Sequence, residues 1–321
     1  MEQNQLNDII KSSKNILLTS HINPDGDTLG AMCGLYTLIL NNYKKRCSML
    51  VMSNIPKYYE FIPNIKLAKN FKDYDTSREY DLVINLDIAA PDRLGDGEVL
   101  LKKAKFTVNI DHHKTNNLYA DINIVNPASS STSEVILDIA EQLKWETDND
   151  TATALYTGIL TDTGSFRFDN TNAKTFLRAS ELVKFGAKPN LIYKNCYETN
   201  SKNMVMFQSY IVSKAKFSDN DKIAYSEIYK KDLEKFSGDE SFTEGLTEKL
   251  RAIATTEVAF IVKELNNGWT KISMRSKNID VAEICSIFGG GGHMFAAGCT
   301  MKNSVEESIQ KILTEVRTKL Q

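Results

Sequence analysis

The chain has 321 residues, of which 42% are hydrophobic, and its formal net charge at pH 7 is −2. This composition is typical of a folded protein with room for two domains, and it excludes an intrinsically disordered chain. The near-neutral charge also excludes a global basic field of the kind that grips long polynucleotides, so we expect any nucleic-acid partner to be short.

The sequence shows no clear membrane-spanning segment, signal peptide or cysteine motif. No apolar run approaches the roughly 20 residues that a bilayer-spanning helix needs, and residues 1–15 are polar, so we expect a cytoplasmic protein without membrane contact. The five cysteines include no Cys-x-x-Cys pair, which argues against a disulfide framework and against a thiolate zinc site. Basic runs such as residues 102–105 are interpreted as solvated helix faces.

Strand-like and helix-like segments alternate in the first half of the chain. The predicted strands are short apolar runs over residues 15–20, 47–52, 81–87 and 105–111. The predicted helices cover residues 29–40, 133–143, 151–160 and 172–185. This alternation indicates β-α-β units and a parallel sheet, in which ligands bind beyond the carboxyl ends of the strands.

The pattern changes in the second half. Residues 191–217 are predicted to form a long helical linker between domains. Strands are predicted over 222–228, 257–265 and 269–276, with an Asn-Asn-Gly turn joining the last two, and helices over 243–254, 281–288 and 305–320. The predicted fold class is therefore α/β, with a parallel-sheet catalytic domain (1–190), the linker (191–217) and a smaller α+β domain (218–321). We expect the active site in the cleft between the two domains.

Each of the four histidines lies in a motif of unusual composition. The first motif, His21-Ile-Asn-Pro-Asp25-Gly-Asp27, follows a predicted strand and precedes a predicted helix. Pro24 and Gly26 favour a tight turn that lets three potential ligands converge. A helix N-cap would explain one of the two carboxylates, but it would not explain two carboxylates together with a histidine.

Three further acidic positions end apolar segments. Asp87 closes the run DLVINL, and the triplet Asp111-His112-His113 closes the run TVNI. Asp162 ends an otherwise apolar helix, although a local turn with Gly164 is an alternative explanation for it. A carboxylate that emerges from a buried strand is well placed for the mouth of a site.

Charge balance indicates two metal ions. Asp25, Asp27, Asp87 and Asp162 would bring four negative charges into one cleft, where some would have to take up protons unless cations were present. Two divalent cations would cancel these charges. Oxygen and imidazole ligands without thiolates favour Mn²⁺, with Mg²⁺ or Co²⁺ as alternatives. Two such metal ions side by side activate a water molecule and bind a phosphoryl group between them.

The second domain contains the run Gly289-Gly-Gly-Gly-His293. Exposed backbone N–H groups of such a loop can approach a phosphate closely, although a flexible turn is an equal alternative. Arg275, on the strand just upstream, could add a guanidinium to the same phosphate. One domain is thus expected to hold metals and the other to hold the substrate.

Five motifs, taken in order, resemble those of the DHH phosphoesterase family. They are HINPDGD, the aspartate closing DLVINLD, IDHHKTN, TGILTDTGSFRF and, for the DHH-associated C-terminal domain, GGGGHMFAAG. The resemblance implies His21, Asp25 and Asp87 at one metal. It implies Asp27, Asp87, His112 and Asp162 at the other, with Asp87 bridging.

The same resemblance assigns the remaining roles. Asp111 would orient the ligand histidines, and His113 would face the scissile phosphate, so that Asp111, His112 and His113 form the catalytic group. Substrate would be bound by His113 and by the second domain's residues Arg275, Gly291, Gly292 and His293.

The two-domain build looks most like the stand-alone bacterial nanoRNases that also act as phosphatases on 3′-phosphoadenosine 5′-phosphate (pAp). We therefore expect a Mn²⁺-dependent hydrolase that releases 5′-mononucleotides from very short oligonucleotides and dephosphorylates pAp. A hydrolase of linear or cyclic dinucleotides is the main alternative. Three other classes are less favoured. An inorganic pyrophosphatase should carry a lysine- and arginine-rich carboxyl-terminal signature in place of the glycine run, and a long-strand exonuclease should carry further nucleic-acid-binding domains. A nucleotide sensor without turnover should lack one of the metal-binding residues, whereas all of the expected ones are present. A homodimer is left open.

Overall fold

The computed structural model describes residues 2–320, apart from the side chain of His293. The chain divides into two compact units, Met1–Thr199 and Asn200–Gln321. Within residues 2–320, none of the helices combines the length and the apolarity that crossing a bilayer requires.

Unit 1 contains a six-stranded sheet flanked by helices. Its strands are β1 (Ile16–Thr19), β2 (Ser48–Val51), β3 (Lys69–Asn70), β4 (Tyr80–Leu86), β5 (Ala104–Asp111) and β6 (Ile122–Val125). Its α-helices are α1 (Glu2–Ser12), α2 (Gly26–Tyr43), α3 (Thr132–Gln142), α4 (Asn149–Asp162), α5 (Ala173–Lys184) and α6 (Pro189–Tyr197). A kinked 3₁₀ segment, Pro91–Lys103, joins β4 to β5.

All six strands are parallel, in the order β3-β2-β1-β4-β5-β6. The chain builds outward from β1 to β3 and then returns to the other side of β1 with β4. The strand order therefore reverses between β1 and β4, and in open α/β sheets the crevice outside the carboxyl ends at such a point is the usual ligand site. One face of the sheet packs against the α-helices and the other against the Pro91–Lys103 segment, which explains why the strands are continuous apolar runs instead of alternating ones.

Helices α2 and α4 pack unusually close together. A β-carbon at Gly30 would lie 2.5 Å from the carbonyl oxygen of Ala154, and Gly26 and Gly34, one turn before and after Gly30, also face α4 side chains. This glycine face lets the two backbones touch. The same contact brings Asp27 on α2 and Asp162 at the end of α4 to one edge of the sheet.

Unit 2 is a six-stranded mixed sheet with helices. Its strands are β7 (Lys216–Ser218), β8 (Ile223–Ile228), β9 (Val258–Glu264), β10 (Thr270–Ser276), β11 (Gly291–His293) and β12 (Ala296–Met301). Its helices are α7 (Lys202–Ser213), α8 (Lys230–Lys235), α9 (Leu246–Arg251), α10 (Val281–Ile287) and α11 (Val305–Leu320). The order is β11-β12-β10-β9-β8-β7, and only β8 and β9 are parallel.

The predicted fold class, a parallel-sheet domain followed by a smaller α+β domain, is confirmed. The hairpin predicted at Asn-Asn-Gly is the β9–β10 pair. The 191–217 segment differs from the single helix that we expected. It contains most of α6, a break over residues 198–201, α7 and the start of β7, because Ser201 caps α7 by accepting a hydrogen bond from the Met204 backbone N–H. Along the chain, the boundary between the two units falls between Thr199 and Asn200.

The glycine face of α2 gives a first testable prediction. Gly30→Ala should lower the free energy of unfolding by about 2 kcal/mol, because overpacking against α4 outweighs the higher helix propensity of alanine. Urea denaturation measures this change. Gly291→Ala is the control, since a β-carbon there would meet no described atom within 4 Å. Unchanged or increased stability of Gly30→Ala would contradict the close α2–α4 packing.

Candidate active site

The turn after β1 holds His21 and Asp25 in fixed positions. Asp25 is the N-cap of α2, and its Oδ1 accepts hydrogen bonds from the backbone N–H groups of Asp27 and Thr28, each at 3.0 Å. Its Oδ2 lies 3.8 Å from His21 Nε2. The ring of His21 is buried, and its Nδ1 lies 2.8 Å from the Ile22 carbonyl oxygen, so Nδ1–H donates there and Nε2 faces the carboxylates. The capping and ligand interpretations of Asp25 are thus compatible.

Asp27 is buried at the amino-terminal end of α3. Its Oδ2 accepts a hydrogen bond from the Thr132 backbone N–H at 2.7 Å, and its Oδ1 accepts one from Ser133 N–H at 3.0 Å. The N-terminus of a helix stabilises a negative charge in this way. The sequence did not indicate this contact, because nothing local connects the start of the helix predicted over 133–143 to a carboxylate 105 residues before Thr132.

Asp87 occupies the centre of the cluster. It follows β4 with a left-handed backbone (φ 62°), which is uncommon for a residue other than glycine. Its Oδ2 lies 3.5 Å from His21 Nε2, and its Oδ1 lies 3.6 Å from His112 Nε2. The hydroxyl of Thr132 donates to Oδ1 at 2.9 Å. One oxygen of Asp87 thus faces each of the two histidines.

Asp111 is fully buried at the end of β5 and fixes the residues that follow it. Its Oδ1 accepts hydrogen bonds from the His112 backbone N–H at 2.8 Å and from His113 Nδ1 at 2.7 Å, and its Oδ2 accepts one from Asn116 at 2.6 Å. The ring of His112 instead directs Nδ1 towards the Ser129 carbonyl oxygen, at 3.3 Å. Asp111 therefore orients the ring of His113, whereas it reaches His112 only through the backbone.

Asp162 comes to the same cluster from the last residue of α4. Its Oδ2 lies 3.4 Å from His112 Nε2 and accepts a long hydrogen bond, 3.4 Å, from the Asn170 amide. Asn170 also donates to the carbonyl oxygens of Ser130 and Asp162 itself. Asn170 and Thr132 thus donate hydrogen bonds to the cluster. Nothing in the sequence indicated this role, because Asn170 is one polar residue in a loop and Thr132 is one at the start of a helix.

The sequence-predicted ligands fall into groups in which one potential ligand atom per residue lies within 4.8 Å of the others. Three such groups occur among the described residues: His21, Asp25 and Asp87; Asp27, His112 and Asp162; and Asp87, His112 and His113. The structure thus brings all six predicted metal ligands together, and each group could hold a metal ion.

The carboxylates at the periphery of the cluster resist ionisation. Burial, and then the charges of Asp87 and Asp25, raise the pKa of Asp27 well above its usual range. Burial and the charges of Asp27 and Asp87 do the same to the pKa of Asp162. Burial and Asp87 also raise the pKa of Asp25. Without cations, burial and repulsion thus favour the protonated forms of these groups, and divalent ions would compete with the protons.

The central groups are charged. Burial alone would raise the pKa of Asp87, but the hydrogen bond from His21 and the charges of His113 and His112 lower it below its usual range. Burial alone would lower the pKa of His113, yet its hydrogen bond to Asp111 and the charges of Asp87 and Asp111 raise it to about 9.

Mixed carboxylate oxygens and imidazole nitrogens are the donors that hard and borderline divalent cations prefer. Two imidazoles and four carboxylates, three of which have pKa values raised by burial and mutual repulsion, therefore fit a pair of divalent ions.

In unit 2, the glycine run forms β11 and the turn before it. A β-carbon at Gly290 would lie 2.2 Å from the Gly298 carbonyl oxygen, and one at Gly292 (φ 149°) would lie 2.5 Å from that of Ala296. The close approach of β11 to β12 explains these two glycines. Packing among the described residues does not explain Gly291, which is exposed and faces open space. A ligand that approaches the backbone at Gly291 would explain it.

Arg275 and the glycine run line the same groove, of about 490 Å³, together with residues of β12. In the structure the guanidinium is engaged: its Nε donates to Glu248 Oε1 at 2.7 Å and its Nη1 to the Met274 carbonyl oxygen at 2.9 Å. The side chain of Arg275 is 30% exposed, so one face of it remains open to the groove. The expected cleft between the two domains stays a prediction.

Comparisons with known proteins agree with this architecture. Residues 15–159 match the DHH family, N-terminal domain, and residues 220–321 match the DHHA1 domain. The bifunctional oligoribonuclease and PAP phosphatase NrnA of Bacillus subtilis is 30% identical over 94% of each chain. The cyclic-di-AMP phosphodiesterase GdpP of Bacillus subtilis is 26% identical over 96% of this chain and 48% of its own length.

A crystal structure of an exopolyphosphatase-related protein from Bacteroides fragilis shares the fold. It superposes with a TM-score of 0.94 at 24% identity and covers 99% of this chain and 96% of its own. Three observations indicate the same family. They are the two family matches in the expected order, the relative of nearly equal length, and the clustered histidines and aspartates. The chain therefore belongs to the DHH family of phosphoesterases and carries a DHHA1 domain in its second unit.

Proposed function

We propose that this protein is a Mn²⁺-dependent, cytoplasmic hydrolase that degrades very short oligonucleotides to 5′-mononucleotides and also removes a phosphate from pAp. The observation that carries the proposal is the histidine and aspartate cluster at the strand ends. A relative of nearly equal length that is named for both activities supports the substrate class.

Two groups of side chains would hold the metals. His21, Asp25 and Asp87 would hold one ion, and Asp27, His112 and Asp162 would hold the other, with Asp87 shared. Bound divalent ions would supply charge neutralisation, an activated water and polarisation of the phosphoryl group. The proximity of Asp87 Oδ2 to His21 and of Oδ1 to His112 supports its bridging role.

Asp111 and His113 would act on the substrate's phosphate as a pair. Because His113 Nδ1 donates to Asp111 Oδ1, the tautomer and the ring plane are fixed and Nε2 is presented outward. In the metal-free protein the pKa of His113 is raised to about 9, so its ring carries a proton at neutral pH. Its Nε2–H would stabilise charge that develops on the phosphate or would protonate the leaving oxygen.

Unit 2 would bind the remote end of the substrate. Arg275, Gly291, Gly292 and His293 would contact its phosphate or terminal nucleotide, with backbone N–H groups and a guanidinium as donors. The open space at Gly291 and the groove that it shares with Arg275 support this assignment. Binding the remote end of a small ligand would restrict the length of the substrate.

Linear or cyclic dinucleotides form a second candidate substrate class. Similarity to a cyclic-di-AMP phosphodiesterase over 96% of the chain favours it. The match covers only 48% of that relative, whereas it covers 94% of the oligoribonuclease and PAP phosphatase, so short RNA and pAp remain the first proposal.

A substrate panel tests the proposal. With Mn²⁺, we expect release of mononucleotides from a dinucleotide and a pentanucleotide, release of phosphate from pAp, and little cleavage of a 24-mer. Asp111→Ala/His112→Ala protein, which loses the orientation of His113 and one metal ligand, should lose at least 10³-fold in kcat/KM, on the order expected for removing a metal ligand and an acid together. Turnover of a cyclic dinucleotide or pyrophosphate alone would contradict the proposal.

Removal of the metals should reveal the repulsion inside the cluster. The folded protein raises the pKa of Asp162, so it keeps a proton that the unfolded chain releases near pH 4, and metal-free stability falls as pH rises above that value. Saturating Mn²⁺ should raise Tm at pH 7 by about 5 °C, and by less at pH 5, where protons compete.

Asp162→Asn provides the matched variant. Without metal at pH 7 it should melt above the metal-free wild type, because a repelled carboxylate has been replaced by a neutral amide of the same size. Its Mn²⁺-induced shift in Tm should be smaller. Differential scanning calorimetry in EDTA and in Mn²⁺ measures both effects, and a metal-free variant that melts below wild type would refute the electrostatic account.

Arg275 gives a separate prediction about the substrate. Arg275→Gln should raise KM for pAp about tenfold or more, with a smaller change in kcat, since a charge-assisted phosphate contact is worth roughly 1.5–3 kcal/mol. Glu248→Gln is the control, because it releases the guanidinium from its ion pair and should leave KM equal or lower. Steady-state kinetics on both variants decides the matter. Equal KM values for Arg275→Gln and wild type would remove Arg275 from the substrate site.

A further inference from the structure

The amino-terminal edge of the unit 1 sheet, opposite the candidate metal centre, carries a band of basic residues. Each of the four neighbouring strands β2, β1, β4 and β5 is preceded or begun by at least one of them. They are Arg46 before β2, Lys14 before β1, Arg78 before β4, and Lys102, Lys103 and Lys105 around the start of β5.

These residues line two adjoining depressions, which together we name the amino-edge groove. One, of about 320 Å³, is lined by the lysines at β5, and the other, of about 280 Å³, by Lys14, Arg46 and Arg78. Asn15, Glu79 and Tyr80 line both, so the two depressions lie directly beside each other. The groove is lined by residues of unit 1 alone.

Most of these cations have no carboxylate partner within residues 2–320. Lys105 pairs with Asp81 at 2.8 Å, and Arg78 Nε lies 3.9 Å from Asp75. Among the described residues, no carboxylate oxygen lies within 4.0 Å of the charged nitrogens of Lys14, Arg46, Lys102 or Lys103. Asp81 is also occupied by the backbone N–H groups of Lys14 and Asn15.

Such a band is unusual in a chain whose net charge is −2. Six cations face only two carboxylates along this groove, Glu79 and Asp81. Like charges held side by side raise the local potential and attract a polyanion. The interpretation of residues 102–105 as a solvated helix face does not account for the cations of the three neighbouring strands.

The dimensions of the groove select a ligand. From β2 to β5 there are three strand spacings, a span of about 14 Å. A single strand stacked with the helical rise of a duplex advances roughly 3.4 Å per phosphate, so the groove matches about four phosphates of a stacked strand and fewer of an extended one. The aromatic side chain of Tyr80 is buried, so the groove offers charge instead of a stacking surface.

We propose that the amino-edge groove binds the phosphate backbone of a short single-stranded oligonucleotide at a site separate from the metal centre. Seven residues of extended chain separate Tyr80 from Asp87, which corresponds to roughly 20 Å. The contacts would be to phosphates and therefore independent of base sequence. This inference does not rest on the proposed catalytic function, because the groove shares no residue with the metal cluster.

Fluorescence anisotropy with a labelled hexauridylate tests the proposal, in EDTA so that metal-dependent cleavage is absent. The variant Lys14→Gln/Arg46→Gln/Lys102→Gln/Lys103→Gln removes the four unpaired cations. At 50 mM salt it should bind at least tenfold more weakly than wild type. The slope of log affinity against log salt should decrease by roughly 3 in magnitude, at about 0.7 per lost phosphate contact.

A control variant carries the same change in net charge elsewhere. Lys144, Lys184, Lys202 and Lys249 are exposed and have no described carboxylate within 4.0 Å, so their replacement by Gln should leave binding within twofold of wild type. Equal loss in both variants would mean that net charge alone governs binding and would overturn the proposal. Binding of inorganic polyphosphate but not of hexauridylate would overturn the assignment to nucleic acid.

Folding of the fourfold variant is checked independently. Its Mn²⁺-dependent shift in Tm should equal that of wild type, because the metal cluster is untouched. If the fourfold variant does not fold, the two halves, Lys14→Gln/Arg46→Gln and Lys102→Gln/Lys103→Gln, decide instead. Each half should lower the salt slope by about 1.4, and no change in either would refute the groove.

Discussion

The structure of unit 1 depends on the need to hold four carboxylates close together in a largely buried site. Left alone, Asp25, Asp27, Asp87 and Asp162 repel one another, and three of them have raised pKa values. The fold compensates only in part. Two helix N-termini supply backbone N–H groups, at Asp25 for α2 and at Asp27 for α3, and histidines flank Asp87. Divalent cations would neutralise the remaining negative charge. Folding brings the carboxylates together, so it creates the affinity for metal.

The topology explains why these residues can meet at all. The reversal of strand order places β1 next to β4, so the turns after both strands open at the same crevice. Strand β5 adds Asp111 and the two histidines from the other side of β4. The close contact of α2 with α4, which needs the small Gly30, then brings Asp162 to the same edge. A packing defect between α2 and α4 would therefore displace Asp162 from the cluster, although no residue of the cluster itself had been changed.

The sheet of unit 1 is electrically polarised. Its carboxyl edge collects aspartates and histidines, whereas its amino edge collects lysines and arginines. The near-zero net charge of the chain conceals this separation, because the two edges cancel in the sum. Under the two proposals, a phosphate ligand would be attracted to either edge by different means, through metals at one and directly through cations at the other.

The sequence by itself determined the alternation of strands and helices, the hairpin of the second unit and the family, because these depend on local apolar runs, turn residues and motif order. It also predicted the six histidines and aspartates that cluster, since such a residue is conspicuous where it follows a buried strand or closes an apolar helix. Only the tertiary structure decided which residues support them. Thr132 and Asn170 reach the cluster through contacts distant in sequence, and Asp111 holds the ring of His113 while that of His112 faces Ser129. Likewise, basic residues scattered before four strands become one groove only when those strands lie side by side, because adjacency in a sheet follows strand order and not chain order.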